Sequence, residues 1–303
     1  MARPLRLGTR GSPLALWQAN MVADALRSVH SLAPDAIEIV PIRTTGDQVQ
    51  DRALAEIGGK ALWTKELDRA LLAHEIDFAV HSMKDVETIR PTEIAIAAMP
   101  PRADTRDRLI GADSLVALPP NARVGTSSPR RAAQVRRARP DARILLFRGN
   151  VDTRLRKLAE GEADATLLAA AGLERLGRND IGAPLNDLLP APAQGAVGVE
   201  ARADDSETLG LLALIDHKPT SLCVHAERAL LAALGADCRS PVAALAELRS
   251  GQIHLRAEIL TEDGSHYEAG EIVFPFHEKS APETLARILL DRAPAGLRAL
   301  FAA

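Results

Sequence analysis

Aromatic residues are scarce in this chain, and neither sign of charge predominates. The 303 residues include two tryptophans, one tyrosine and five phenylalanines, 3% in all, which is too few to line a base-stacking platform. Lysine and arginine total 37 against 40 acidic residues, so the net charge is −3 and the pI is near 6.3. Both features argue against a nucleic-acid partner, and any cationic function must therefore be local.

Cysteine and long apolar runs are also rare. Cys223 and Cys238 are the only two cysteines. No apolar run approaches the roughly 20 residues that span a bilayer, and no signal-peptide core follows Met1 to Leu5. We therefore expect a cytoplasmic protein with no membrane partner, in which each thiol needs its own explanation because a disulfide framework is not expected.

The length of the chain and an internal repeat predict several domains. A chain of 303 residues exceeds one ordinary core. The stretch Val124–Pro129 resembles Leu7–Pro13, and Gly161–Thr166 resembles His74–Ala79. Paired prolines near positions 100 and 190 bracket the second copy. We predict an α/β protein with two similar lobes around a shared cleft and a small α+β C-terminal domain. The predicted bounds are 1–99 and 195–217 for lobe 1, 100–194 for lobe 2, and 218–303 for the C-terminal domain.

The stretch from Ile76 to Val86 is the most informative part of lobe 1. Its apolar run predicts a buried parallel strand, and polar residues follow where α/β sheets place their ligand crevices. Lys84 and Asp85 are therefore expected to face the cleft. The alternative is a surface ion pair at a strand end. Ile57–Trp63 contains Gly-Gly-Lys without the spacing of a phosphate-binding loop, and we interpret it as a mobile loop.

Arginines cluster at the predicted strand-to-helix turns. Arg130 and Arg131 lie in the first turn of a helix capped by Ser128 and Pro129, where the helix dipole is unfavourable to cations. Such a pair makes sense if an anionic ligand lies between them. Two further turns carry Arg148 and Arg10. Guanidinium groups bind carboxylates and phosphates in bidentate fashion, so this pattern predicts a ligand with several such groups. For Arg136, Arg137 and Arg139 we favour a solvated helix face instead.

The two thiols have different sequence environments. Cys238 lies in a polar loop next to Arg239, which predicts a lowered thiol pKa, although a single cysteine is often only a small buried hydrophobe. Cys223 lies between Leu222 and Val224 at the start of a predicted amphipathic helix that ends at Gly235. We therefore predict a structural role for Cys223 and leave both roles open for Cys238.

Five motifs together resemble the porphobilinogen deaminase family, also called hydroxymethylbilane synthases. The motifs are Thr9–Ala15, Ala79–Asp85, Val124–Arg131, Arg148–Arg154 and Ala193–Gly198. The resemblance implies two lobes like those of periplasmic binding proteins and a third domain that carries a covalent dipyrromethane cofactor. It also implies a transferase of heme and tetrapyrrole biosynthesis, a monomer, that joins four porphobilinogen molecules with loss of ammonia and releases hydroxymethylbilane by hydrolysis.

The same resemblance implies roles for individual residues. Asp85 is the catalytic carboxylate, and Cys238 carries the cofactor; no metal site is implied. The other cofactor-binding residues implied are Lys84, Asp85, Thr126, Ser127, Ser128, Arg130 and Arg131. The substrate-binding residues implied are Arg10, Ser12, Arg148, Arg154, Arg175 and Gln194. The chain departs from the family pattern at Ala236-Asp237, where Gly-Gly commonly precedes the cysteine, and at Glu56, Trp63 and Ala193.

The rival interpretation is a two-lobed binding protein for a polycarboxylate small molecule. Paired lobes and arginine turns would suit such a protein equally well. Cys238 discriminates between the two interpretations, because a simple binding protein needs no covalent anchor.

Overall fold

The computed structural model describes residues 3–44 and 63–301. Most of the predicted Gly-Gly-Lys loop lies outside these residues. The described chain forms two compact units, which contain residues 3–44, 63–103 and 195–221 in the first unit and residues 104–194 and 222–301 in the second.

The first unit is built on a five-stranded mixed sheet of order β2-β1-β3-β10-β4. Its strands are β1 (Leu5–Arg10), β2 (Ile37–Ile42), β3 (Phe78–Ser82), β4 (Ile94–Ala98) and β10 (Val197–Arg202). Its helices are α1 (Pro13–His30), α2 (Lys65–Leu72) and α6 (Ser206–Ala213), together with the start of α7 (Lys218–Ala233). Strand β3 is parallel to β1, as predicted, and antiparallel to β10.

Helix α1 shows how local sequence shapes this unit. The Ser12 hydroxyl accepts a hydrogen bond from the Ala15 N–H at 3.3 Å, and Pro13 occupies the first helical position, where no N–H is needed. One helix face buries Val22 and Leu26 against β1 and β3. The helix therefore begins where the sequence predicts, and the turn between β1 and α1 lies at the carboxyl end of β1.

The second unit contains a sheet of the same design. Its order is β7-β6-β8-β5-β9, with β6 parallel to β7 and β8 and with β5 antiparallel to both of its neighbours. Because the strand order and directions match those of the first sheet, the fold repeats the internal duplication seen in the sequence. The strands are β5 (Asp107–Ile110), β6 (Arg123–Thr126), β7 (Arg143–Leu146), β8 (Ala165–Ala169) and β9 (Ala183–Leu185). The helices are α3 (Pro129–Ala138), α4 (Val151–Ala159) and α5 (Ala170–Arg175).

A three-stranded antiparallel sheet of order β11-β12-β13 completes the second unit. Its strands are β11 (Val242–Arg249), β12 (Gln252–Leu260) and β13 (Tyr267–Pro275), and the helices α8 (Ala281–Arg292) and α9 (Ala295–Arg298) follow. The two hairpin turns contain Gly251 and Gly264, both with positive φ, where glycine is favoured. Leu255, Ile259 and Leu285 belong to a core that this sheet shares with α7 and α8.

The predicted fold class is confirmed: two α/β lobes are followed by a small α+β segment. The bounds of the three predicted domains stay a prediction. Among the described residues, no helix is both long and apolar enough to cross a membrane.

Candidate functional site

A short 3₁₀ turn at the end of β3 carries Lys84 and Asp85. The turn spans Met83–Asp85, and both of these polar residues are partly exposed. Met83 anchors the turn: its backbone N–H donates to the Ala196 carbonyl at 3.0 Å, and its side chain lies on Gly198, where a Cβ would be 2.0 Å from the Met83 sulfur. Within the described part of the chain, the Asp85 carboxylate has no hydrogen-bond or ion-pair partner. The turn is therefore held by Met83, and the Asp85 carboxylate remains partly exposed.

A buried charge cluster follows this turn, and no local pattern in the sequence predicts it. Arg90 donates to Glu200 at 2.8 and 2.9 Å, to Asp68 at 2.6 Å and to Glu87 at 2.6 Å. The Nε2 atom of His81 is 3.1 Å from Glu200. The Glu200 side chain is fully buried, which raises its pKa, yet its contact with His81 and its hydrogen bonds to Arg90 outweigh the cost of burial and lower that pKa to about 2. The cluster joins β10, α2 and the turn that follows Asp85.

Arg10 and Ser12 flank the turn between β1 and α1. The guanidinium carbon of Arg10 lies 4.1 Å from the centroid of the Trp63 ring, which is a cation–π contact. Ser12 is partly exposed and caps helix α1. Trp63, one of the departures from the family pattern, thus supports a predicted substrate-binding arginine.

Four predicted residues of the second unit, Thr126, Ser127, Ser128 and Arg154, lie at the carboxyl end of β6. The Arg154 Nη2 atom donates to the Ser127 hydroxyl at 3.3 Å, and Arg154 Nε donates to the Gly149 carbonyl at 3.0 Å. The Thr126 hydroxyl accepts from the Ser128 N–H at 3.1 Å. Gly149 has a φ of 109°, which allows the chain to turn from β7 toward α4. The structure therefore brings the turn between β6 and α3 into contact with the turn between β7 and α4.

Arg130 and Arg131 are buried and share an internal carboxylate. Asp107, the first residue of β5, accepts from Arg130 Nη1 at 2.5 Å and from Arg131 Nη2 at 2.7 Å. Both arginine side chains and the aspartate are at least 94% buried. The sequence predicted an anionic ligand between these cations, and the protein itself supplies one anion there. The two guanidinium groups hold the Asp107 pKa far below its ordinary range despite the burial.

The remaining predicted residues of the second unit are also largely buried. Gln194 Nε2 donates to Asp107 at 2.8 Å and to the Thr105 carbonyl at 2.7 Å. Arg148 directly follows Phe147 after β7, and Arg175 ends α5, so both lie beyond the carboxyl ends of sheet strands. Burial lowers the pKa of Arg175.

Arg136 and Arg137 of α3 and Arg139, which follows the helix, are at least partly exposed, as the solvated-face interpretation predicted, but all three also bond to neighbouring elements; Arg136 donates to the Glu262 carbonyl. Arg137 donates to Glu258 of β12 and stacks on Tyr267, with 3.4 Å between the guanidinium carbon and the ring centroid. Arg139 donates to three backbone carbonyls in the segment 115–119 and to the Asp141 carboxylate. These side chains hold neighbouring elements of the second unit together, because guanidinium offers five donors in a fixed plane.

The two cysteines differ in exposure as predicted. Cys223 is 6% exposed in the core shared with β11 and β12, whereas Cys238 is exposed on the loop between α7 and β11. The Arg239 side chain, however, donates to the Asp237 carboxylate at 2.5 and 2.9 Å. Arg239, the cation expected to act on the Cys238 thiol, therefore also forms an ion pair with Asp237, which stands where the family pattern has a glycine.

Comparisons with known proteins agree on one family. Residues 5–210 match the family model described as porphobilinogen deaminase, dipyromethane cofactor binding domain, and residues 221–290 match the model of the porphobilinogen deaminase C-terminal domain. The chain is 59% identical over 307 residues to the porphobilinogen deaminase of Sphingopyxis alaskensis, covering 99% of this chain and 97% of the relative. It is 52% identical to that of Paracoccus denitrificans, covering 96% and 95%.

Among solved structures, the chain is distantly similar to an arginine-specific periplasmic binding protein of Salmonella typhimurium. The TM-score is 0.42 at 13% identity, and the match covers 72% of this chain and 94% of that one. This similarity is too slight to bear on the ligand.

Proposed function

The chain belongs to the porphobilinogen deaminase family, and from that premise we propose how its residues divide the reaction. It is a transferase of tetrapyrrole biosynthesis that joins four porphobilinogen molecules with loss of ammonia and releases hydroxymethylbilane by hydrolysis. The residue assignments that follow are our proposal.

The side chains of the second unit suit a covalent dipyrromethane group. Cys238 offers an exposed thiol, whereas Cys223 is buried in the apolar core. Arg130 contributes a donor: its Nε–H is buried and has no acceptor within the described part of the chain. A buried donor without an acceptor is costly, and a ligand carboxylate would remove that cost. When bound, the group supplies the free pyrrole carbon to which the first substrate is joined.

Asp85 stabilises positive charge on the substrate. Loss of ammonia from the aminomethyl group of porphobilinogen leaves a cation that is delocalised over the pyrrole ring. An ionised carboxylate that accepts the pyrrole N–H lowers the energy of that cation, and such electrostatic contributions are worth about 3 kcal/mol or more. The Asp85 carboxylate, which has no partner among residues 3–44 and 63–301 and lies on a turn held by Met83, is the observation that carries this assignment.

The arginines hold the acetate and propionate groups of the pyrroles. Arg10 in the first unit and Arg148, Arg154 and Arg175 in the second provide bidentate donors. Ser127 lies in hydrogen-bond contact with Arg154, so a carboxylate bound there could accept from both side chains. Holding the substrate by groups remote from the reacting carbon orients it without chemical participation.

A cytoplasmic location and a monomeric state are part of the same proposal. Neither cysteine forms a disulfide, and a thiol that must be available for modification suits a reducing compartment. Size-exclusion chromatography with light scattering measures the oligomeric state, and a mass near 32.4 kDa is expected.

The Asp85→Asn variant tests the assignment. The amide keeps the size of the side chain but removes its charge, so we expect kcat to fall at least about 100-fold, corresponding to about 3 kcal/mol. Asp24→Asn is the matched control, because Asp24 is an exposed carboxylate of the same unit. Retention of a tenth of the activity by Asp85→Asn would remove Asp85 from its role. Absence of any porphobilinogen consumption by the wild-type protein would favour the binding-protein alternative.

A further inference from the structure

Asp107 is bonded to three residues of the proposed site. Besides Arg130 Nη1 and Arg131 Nη2, its carboxylate accepts from Arg131 Nε at 3.2 Å and from Gln194 Nε2 at 2.8 Å. These donors come from the first turn of α3 and from the segment that precedes β10. The Asp107 side chain is only 1% exposed, so all of these bonds lie in the protein interior.

Without Asp107, the buried positions of Arg130 and Arg131 would be electrostatically unfavourable. They are adjacent in sequence, both are buried, and both lie at the helix end where the dipole already places positive charge. Mutual repulsion and burial would drive their guanidinium groups apart and toward solvent. A single carboxylate that bonds to both keeps them side by side. Two cations and one carboxylate leave one net positive charge.

We propose that Asp107 is a positioning residue for the dipyrromethane cofactor, holding Arg130, Arg131 and Gln194 in place and leaving the charge that suits one cofactor carboxylate. This inference rests on the proposed function. The buried Nε–H of Arg130, which has no acceptor among the described residues, is the donor that remains for this carboxylate.

Further bonds show that Asp107 sets the geometry of the arginines. Arg130 Nη1 also donates to the Gln134 side chain at 3.1 Å and to the Leu189 carbonyl at 3.2 Å. Arg131 Nη1 donates to the Leu167 carbonyl at 2.9 Å. These neutral acceptors orient the guanidinium groups but carry no charge. Asp107 is the carboxylate that bonds to both arginines. Its negative charge offsets one of their two positive charges, and its position fixes the orientation of both guanidinium groups.

Intact-mass spectrometry of the purified Asp107→Asn variant tests the proposal. The amide can accept one of the bonds but places a donor against Arg130, so the arginine pair loses its alignment. We expect a folded protein, judged by circular dichroism, with the dipyrromethane mass on less than a tenth of the molecules. Asp104→Asn is the control. Asp104 lies three positions before Asp107 and forms an ion pair with Arg106 that is more exposed to solvent. This control should carry the full cofactor mass.

Asp107→Glu covers the case in which the amide variant does not fold. It keeps the charge but adds one methylene to a closed site, so the carboxylate and its arginines must shift. We expect folded protein with cofactor on less than half of the molecules. Full cofactor mass on either folded variant would overturn the proposal. Failure of both variants to fold would also overturn it, since Asp107 would then serve stability alone. Wild-type protein without the cofactor mass would instead refute the proposed function.

Discussion

Replacing Glu200 with glutamine should destabilise the first unit at neutral pH and flatten the dependence of its stability on pH. Glu200 is ionised and fully buried between Arg90 and His81, and its pKa is lowered from the ordinary 4.5 to about 2. A carboxyl whose folded-state pKa is lowered contributes its full stability above about pH 4.5, and this contribution is lost as the pH falls toward 2. The lowered pKa corresponds to about 3 kcal/mol at pH 7 and to about half of that at pH 3.

Urea denaturation followed by tryptophan fluorescence measures this effect selectively. Trp17 and Trp63 are the only tryptophans of the chain, and both lie in the first unit. The free energy of unfolding of Glu200→Gln should be about 3 kcal/mol below that of the wild type at pH 7. The gap should narrow by about half at pH 3. Glu75→Gln, which removes an exposed partner of Arg69, should have little effect at either pH. An equal gap at pH 7 and pH 3 would refute the role assigned to the Glu200 charge.

Four further substitutions test other parts of the structure. Gly198→Ala should lower activity at least about tenfold with the cofactor mass intact, because the new Cβ would displace Met83 and the turn that carries Asp85; wild-type kcat would contradict this contact. Gly264→Ala should lower the thermal midpoint by several degrees, because φ is 72° there and the Cβ would meet the backbone of α3 at 2.5 Å; an unchanged midpoint would contradict it. Arg131→Leu should yield protein without the cofactor mass. Arg154→Leu should retain the cofactor but stall during elongation, which native gels of enzyme-bound intermediates would show. Identical behaviour of the two variants would contradict the assignment of Arg131 to the cofactor and of Arg154 to the substrate.

Elements that depend on neighbouring residues were predictable from the sequence. Ser12 followed by Pro13 predicts the start of α1 because the cap and the first turn involve only the next few residues. The apolar run before His81 predicts β3, and Gly251 and Gly264 predict the hairpin turns. The strand order of the two sheets was not predicted; the internal repeat predicted only that the two lobes would be similar.

The internal partners of charged residues could not be predicted in this way. Asp107 lies 23 positions before Arg130, and Glu258 lies 121 positions after Arg137, so no local pattern connects them. In the sequence, Asp107 is one acid between two arginines, which is typical of a solvated strand end. Its burial follows from the packing of β5 against β8, which only the folded chain shows.

The departure at Asp237 gives a similar lesson. The sequence shows a charged residue where glycine is common, but not what its side chain contacts. In the structure the Asp237 carboxylate forms an ion pair with Arg239. The residues on either side of Cys238 are therefore bonded to each other. The sequence places Arg239 next to Cys238 but does not show that its guanidinium group is bonded to Asp237, because that contact depends on the conformation of the loop.

Locating the covalent cofactor tests the account most directly. Intact mass followed by peptide mapping of the purified wild-type protein should show the added mass of one dipyrromethane on Cys238, with Cys223 unmodified, because only Cys238 is exposed. Cys238→Ala should be folded, inactive and of unmodified mass, and Cys223→Ala should stay active. An adduct on Cys223, or active protein without an adduct, would contradict the account.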